Sequence, residues 1–149
     1  KLHRNFMGYT DTHTQLLIGL GASSISDSWN GYVQNEKKLE DYYESVRAGK
    51  MPISKGHELT DTDLILRRHI LNIMTKFETS WRAQDLVCEA LYQALERLEE
   101  MQFDELITIE PFELKVTEKG RSFVRNVCMA FDARLWADLP QTSLFSQTV

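Results

Sequence analysis

Cysteine is scarce in this chain: among 149 residues there are two, Cys88 and Cys128, forty positions apart. Without a C-x-x-C pair, a metal site built from this chain's thiolates is not expected, and a reducing, cytoplasmic setting fits that usage. His3, His13, His57 and His69 form no H-x-x-x-H pair, so no metal site is expected from them either. No apolar run approaches the length needed to cross a bilayer, and Lys1-Leu2-His3-Arg4-Asn5 does not lead into the apolar core of a secretory signal, so neither a membrane span nor a signal is expected. There is no Gly-Lys-Ser/Thr for a P-loop and no third glycine after Gly19-Leu20-Gly21 for a dinucleotide fingerprint. Positive charge is in deficit: 17 Lys and Arg face 22 Asp and Glu, a net charge of −5, which argues against a general polyanion binder but leaves room for a local basic site. The chain starts at Lys1 and not at Met, which suggests a piece of a longer one.

What is present is ordinary globular usage, 42% hydrophobic and 26% charged, enough for one core with room for a small appendage. Residues 1 to about 35 are rich in Gly, Ser, Thr and aromatics and read as strand and loop. Leu16-Leu17-Ile18-Gly19-Leu20-Gly21 predicts a short buried strand, one that needs a sheet to join. Asn35 is placed to cap a helix carrying Leu39, Tyr42, Tyr43 and Val46, with Gly49 to end it and Met51-Pro52-Ile53 as an extended connector. Thr60 and Asp63 form a capping-box variant for a second helix with Leu66, Ile70, Ile73 and Phe77 on one face, widened by Leu71 and Met74. A third helix is predicted from about Ala83 to Met101, burying Val87, Leu91, Leu95 and Leu98. Alternation then predicts a hairpin from Leu106 to Thr117 with Pro111-Phe112 at the turn. A last helix follows with Val124, Val127, Phe131 and Leu135 in register, and Pro140 opens an irregular tail.

Helices, a two-stranded wing and another helix describe a winged-helix-like unit, which raises DNA binding as a function. The charge opposes it. Between Arg82 and Met101 lie Asp85, Glu89, Glu96, Glu99 and Glu100 against two arginines, and Glu110 and Glu113 flank the wing tip, so phosphates would be repelled and no nucleic-acid partner is expected. Gly19-Leu20-Gly21-Ala22-Ser23-Ser24-Ile25-Ser26 has two readings: backbone amides and hydroxyls open to a ligand, or, favoured on the residues alone, a tight strand end that needs small residues. Arg67-Arg68 and the pair Arg121 and Arg125 offer guanidinium forks suited to carboxylates, with surface ion pairing as the plainer alternative. Trp29, Trp81 and Trp136 read as packing residues.

Several strings occur together and in order along nearly the whole chain. Arg4-Asn5-Phe6-Met7-Gly8-Tyr9-Thr10 has the form R-x-F-x-G-Y-T; Leu17 to Ser26 and then Tyr32-Val33-Gln34-Asn35 follow it. Leu66-Arg67-Arg68, Val116-Thr117-Glu118-Lys119-Gly120-Arg121, Arg125 to Asp132 and Phe145-Ser146 complete the series. This set resembles the oxygen-independent coproporphyrinogen III oxidases, radical S-adenosylmethionine (SAM) enzymes of heme biosynthesis. The resemblance implies that residues 1–35 are the last part of an incomplete radical-SAM β/α barrel and that residues 36–149 form a helical C-terminal domain with a β wing, covering the barrel mouth. The expected fold is therefore mainly α with a small β hairpin, a winged-helix-like domain preceded by a strand and loop remnant of the barrel.

In that family a [4Fe-4S] cluster on a C-x-x-x-C-x-x-C motif cleaves SAM to a radical that takes hydrogen from a propionate. Loss of carbon dioxide leaves a vinyl, and two such events convert coproporphyrinogen III to protoporphyrinogen IX. The cluster cysteines are not in this chain, so neither cluster nor SAM is expected bound to it alone, and alone it is expected to be inactive. Its implied partners are the missing N-terminal radical-SAM barrel and coproporphyrinogen III, and its unpaired strands are expected to favour self-association. Members bind a second SAM near the positions matching Met7 and Ile25. Ile25 fits the pattern and implies an apolar contact, whereas Met7 departs from the Gln found there in well-known members. Cys128 belongs to the last-helix motif and reads as core. A related radical-SAM heme chaperone and a free-standing winged-helix interaction or DNA-binding module are the rival readings; the Arg125 to Asp132 string favours the oxidase. The open reading frame of the parent protein is expected to carry three cysteines at C-x-x-x-C-x-x-C spacing upstream of Lys1; sequencing it and finding none would remove the assignment.

Overall fold

The computed structural model describes residues 2–5, 7–12 and 14–137 and divides between Leu64 and Ile65 into two units. In the first, β1 (His3–Asn5) and β2 (Gly8–Thr10) form an antiparallel hairpin with Asn5 opposite Gly8. Gly8 sits at φ 122°, a conformation open to glycine and to few other residues. A second antiparallel sheet takes the order β3 (Ile25–Asp27), β4 (Gly31–Asn35), β5 (Ile53–Glu58), and α1 (Leu39–Arg47) lies between β4 and β5 in the chain. As expected, Gly49 ends that helix: at φ 68° it directs its N–H to the Val46 carbonyl at 3.0 Å, and Lys50 N–H reaches Ser45 O at 2.9 Å.

Three sequence expectations change here. Asn35 does not cap α1; it ends β4, and its side chain is used elsewhere, so α1 begins after Lys38 without a side-chain cap. The connector at Met51-Pro52-Ile53 runs directly into β5. The segment Leu16 to Gly21 is neither a full strand nor buried: Leu17 alone makes a bridge, exchanging N–H···O bonds with Asp27 at 2.8 and 2.9 Å, while Leu16, Ile18 and Leu20 are exposed. Residues 16, 18 and 20 alternate with Leu17 and Gly19, the period of a strand face that lacks its second layer.

The second unit holds the apolar core. α2 (Asp61–Lys76) opens with the expected capping box: Asp63 Oδ2 accepts from Thr60 N–H at 2.9 Å and from the Thr60 hydroxyl at 2.8 Å, and Asp63 N–H reaches Thr60 Oγ1 at 3.2 Å. Leu66, Ile73 and Met74 of this helix are buried, with Ile70 and Phe77 packed against the core. Cys128 is buried too, its Sγ 3.8 Å from the Ile70 carbonyl.

The third helix is not continuous. The region consists of a 3-10 turn (Gln84–Leu86), α3 (Glu89–Glu96) and α4 (Glu99–Phe103), with Val87 and Cys88 extended between the first two. One cause is visible: the Leu86 carbonyl accepts a bond from His69 instead of from a following helical amide. Leu91 and Leu98 still reach the core, so the apolar spacing survives the breaks.

The hairpin stands where alternation placed it, as β7 (Ile107–Glu110) and β8 (Glu113–Val116), and β6 (Glu78–Ser80) adds to β8 to give the order β6-β8-β7. A 3-10 turn (Lys119–Phe123), α5 (Val124–Ala130) and α6 (Ala133–Ala137) complete the described residues; Pro140 and Phe145-Ser146 lie outside them. The result is a mixed structure, mainly helical but with more strand than one hairpin.

The two units differ in what they bury. Every buried apolar side chain among the described residues lies between Leu66 and Phe131; in the first unit the buried side chains are Asp27 and Asn35. Within the second unit, Gly120 is packed so closely under the Leu106 carbonyl that any Cβ would run into backbone. Gly120→Ala is therefore expected to lower stability by roughly 2–3 kcal/mol, the cost of overpacking. Urea unfolding checks this, and an unchanged midpoint would contradict the packing described.

Candidate functional site

In the first unit the Gly19–Ile25 turn is held by polar contacts, several of them to residues well beyond it in the chain. Gly19 N–H donates to Ser26 Oγ at 3.0 Å, Gly21 N–H to Tyr42 Oη at 3.2 Å, and Ser24 Oγ–H to the Gly21 carbonyl at 2.7 Å. Ser23 N–H reaches the Glu36 carbonyl at 2.8 Å. The glycines are required for different reasons. A Cβ at Gly19 would stand 2.6 Å from the Ile25 carbonyl, while Gly21 adopts φ 100° with open space where a Cβ would point. The tight, space-saving reading of this string thus accounts for Gly19, and Gly21 leaves the outer side of the turn open. Leu20, 86% exposed, and half-buried Ile25 flank it.

Met7 lies in the β1–β2 turn and Ile25 in the other sheet of the first unit. Met7 is 86% exposed at the tip of the β1–β2 hairpin, where its N–H donates to Asn5 Oδ1 at 2.9 Å; Ile25 opens β3, opposite Gln34.

The four arginines belong to the second unit. Arg68 pairs with Asp85 at 3.5 Å, an exposed contact worth little by itself. Arg67, half-buried beside it on α2, also has an interaction partner. Arg121 pairs with Glu118 at 2.7 Å and lays its guanidinium over the Phe77 ring, 4.7 Å from the centroid. Arg125 is exposed on α5. At ~1.5 Å per residue along a helix, Arg68 is roughly 14 Å from Phe77, so Arg68 and Arg121 are anchored toward different ends of α2. Trp81 is buried, and Trp136 donates from Nε1 to the Met129 carbonyl at 2.8 Å beneath the Arg97 guanidinium, so both pack.

One polar core residue escaped the sequence reading. His69 is fully buried between Trp81 and Phe131, with ring centroids 6.4 and 5.9 Å away. Its Nε2 lies 2.9 Å from the Leu86 carbonyl, which can only accept, so Nε2 carries the proton; Nδ1 then accepts from the Thr79 hydroxyl at 2.8 Å. The available signal was its place three residues after Leu66 and four before Ile73 on one helical face.

With this geometry in view, the relatives define first a class and then a kind of protein. The solved structure of a radical SAM enzyme, the coproporphyrinogen III oxidase of Escherichia coli, superposes with a TM-score of 0.82 at 35% identity over 90% of this chain and 32% of that one. The chain therefore corresponds to the C-terminal part of a radical SAM enzyme of that type. Oxygen-independent coproporphyrinogen III oxidases match it in sequence as well: that of Salmonella typhimurium is 37% identical over 90% of this chain and 30% of its own length, and one from Cereibacter sphaeroides 35% identical over 97% and 33%. The chain thus spans about a third of the length of the relatives it matches, and the recognised resemblance holds across nearly all of it. No family model matches. Among the described residues no helix is long and apolar enough to cross a membrane.

Burial lowers the pKa of His69 below its ordinary value, against a smaller raising effect of the Leu86 hydrogen bond. The unfolded chain therefore takes up a proton near pH 6.5 that the folded chain refuses, so this contribution to stability is complete above that pH and is lost as pH falls through the lower folded value. Urea unfolding from pH 7.5 to 5 should show the loss, at most about 1.4 kcal/mol per pH unit for one proton. His69→Gln should flatten that part of the profile; the same slope in both proteins would assign the effect to other groups.

Proposed function

We propose that this chain is the C-terminal portion of a cytoplasmic oxygen-independent coproporphyrinogen III oxidase, which oxidatively decarboxylates two propionates of coproporphyrinogen III to vinyls, giving protoporphyrinogen IX. The observation that carries the reading, beside the similarity, is that no apolar side chain among the described residues of the first unit is buried. Leu16, Ile18 and Leu20 are exposed in strand-like alternation, and full burial of each would stabilise by roughly 1.5–3 kcal/mol. On this reading the cover is the N-terminal radical-SAM barrel, whose last part is residues 1–35, while residues 36–149 close over its mouth.

The cluster does not fit this chain: among the described residues no three His, Cys, Asp or Glu side chains are grouped to hold a metal, and Cys88 and Cys128 are not gathered with others. Its ligands would come from the barrel. SAM with the cluster supplies the hydrogen-abstracting chemistry when bound. What this chain fits is the flank of a second SAM: the open side at Gly21 with Leu20 and Ile25 beside it can take an apolar contact. Met7 is the other position implied there, with a thioether where an amide stands in well-known members. Arg67, Arg68, Arg121 and Arg125 are the proposed partners for substrate propionates; Arg68, Arg121 and Arg125 are all exposed, Arg125 on α5.

The second unit reads as a winged-helix-like module used for packing. Helix α2, strand β6, helices α3 and α4 and the β7–β8 wing, with sheet order β6-β8-β7, support this. DNA binding is not favoured. Helix α4 is five residues long with Glu99 and Glu100 in its first turn, and Lys115 on the wing is engaged by Glu113, whose carboxyl it holds below the usual range.

The full-length protein with its cluster reconstituted should release carbon dioxide from coproporphyrinogen III in the presence of SAM, and this chain alone should not. Arg125→Gln in the full-length protein should raise KM for the porphyrinogen roughly tenfold, the scale of one charge-assisted hydrogen bond, at an unchanged melting temperature. Absence of turnover in the loaded full-length protein would overturn the oxidase reading, and an unaltered KM would remove Arg125 from the substrate contact.

A further inference from the structure

Within the first unit, one side chain gathers the Gly19–Ile25 turn. Asn35 is 7% exposed at the end of β4, and the β4–β5 register shifts between Gln34 and Asn35. Such an irregularity re-aims a side chain and can turn it inward. The Asn35 Nδ2 lies 3.2 Å from the Gly19 carbonyl, 3.0 Å from the Gly21 carbonyl and 3.1 Å from Ser24 Oγ. Its backbone N–H adds a bond to the Ser24 carbonyl at 3.0 Å. One carboxamide thus meets the carbonyls of both glycines, while the hydroxyls of Ser26 and Tyr42 accept from the two glycine amides.

The turn needs holding. Gly21 stands at φ 100° and Ser23 at φ 57°, the latter a left-handed conformation that non-glycine residues adopt only under restraint. Two of the three atoms around Nδ2 are carbonyl oxygens, so only a donor can occupy the position. A carboxylate of the same shape would set negative oxygen against both.

We propose that Asn35 is a positioning residue that holds the Gly19–Ile25 turn in the shape through which Ile25 meets the second SAM. This rests on the reading above that the turn borders that molecule. Asn35 touches neither substrate nor SAM; it acts through the turn, and Tyr42 supports it at Gly21.

The test uses the full-length protein with its cluster reconstituted. Two readouts are needed: SAM uptake by equilibrium dialysis and amide hydrogen exchange over residues 19–25. Wild type should take up two SAM per chain. Asn35→Asp should keep the first equivalent, weaken the second at least tenfold and speed exchange in the turn by a similar factor. Tyr42→Phe, which keeps the carbonyl clamp, should do both to a smaller extent.

A second equivalent bound by Asn35→Asp as tightly as by wild type would overturn the proposal while leaving the second-SAM reading intact. One equivalent in the wild type itself would overturn that reading, and this proposal with it. Should Asn35→Asp fail to fold, Tyr42→Phe and Ser24→Ala decide: wild-type exchange and wild-type second-site affinity in both would overturn it, and a loss of both quantities would support it.

Discussion

Apolar surface has to be covered, and the two units meet that constraint differently. From Leu66 to Phe131 the chain folds leucines, isoleucines, valines, Trp81 and Phe131 into one core of its own. The first unit has short sheets, a helix and turns closed by hydrogen bonds, but among its described residues the buried side chains are Asp27 and Asn35. Hydrogen bonds exchange protein for water partners and contribute modestly in net terms, whereas apolar burial supplies most of the driving force for folding. The described residues of this unit bury polar groups and leave Leu16, Ile18 and Leu20 exposed, the surface that the proposed barrel would cover. The relatives, of whose length this chain spans about a third, point the same way.

Two buried polar side chains redirect the backbone around them. His69 takes the Leu86 carbonyl out of helical bonding, and the chain there becomes a 3-10 turn and an extended pair of residues instead of a continuous helix. Asn35 gathers the carbonyls of Gly19 and Gly21 and leaves α1 without the cap its position suggested. In both places a buried donor must be matched to an acceptor, since an unpaired one would cost about 1–3 kcal/mol. That requirement outweighs the local preference for a longer helix or a capped one.

The sequence by itself determined the elements whose causes are local. Thr60 and Asp63 cap α2 because they are three residues apart, Gly49 ends α1 because it can adopt φ 68°, and Ile107 to Val116 pair across Pro111-Phe112 because alternation and turn chemistry agree. The resemblance carried by the strings from Arg4 to Asp132 was likewise legible in residue order alone. Tertiary structure decided what depends on partners far along the chain: the breaks between Leu86 and Glu89, the recruitment of β5 to β4, and the placing of Arg68 and Arg121 on different side chains. It also decided that Asn35 would serve a turn fourteen to sixteen residues earlier instead of the helix beside it. The reason is common to all of these. A short-range pattern states what a segment can do, but which buried donor meets which acceptor is set only when distant segments are packed together.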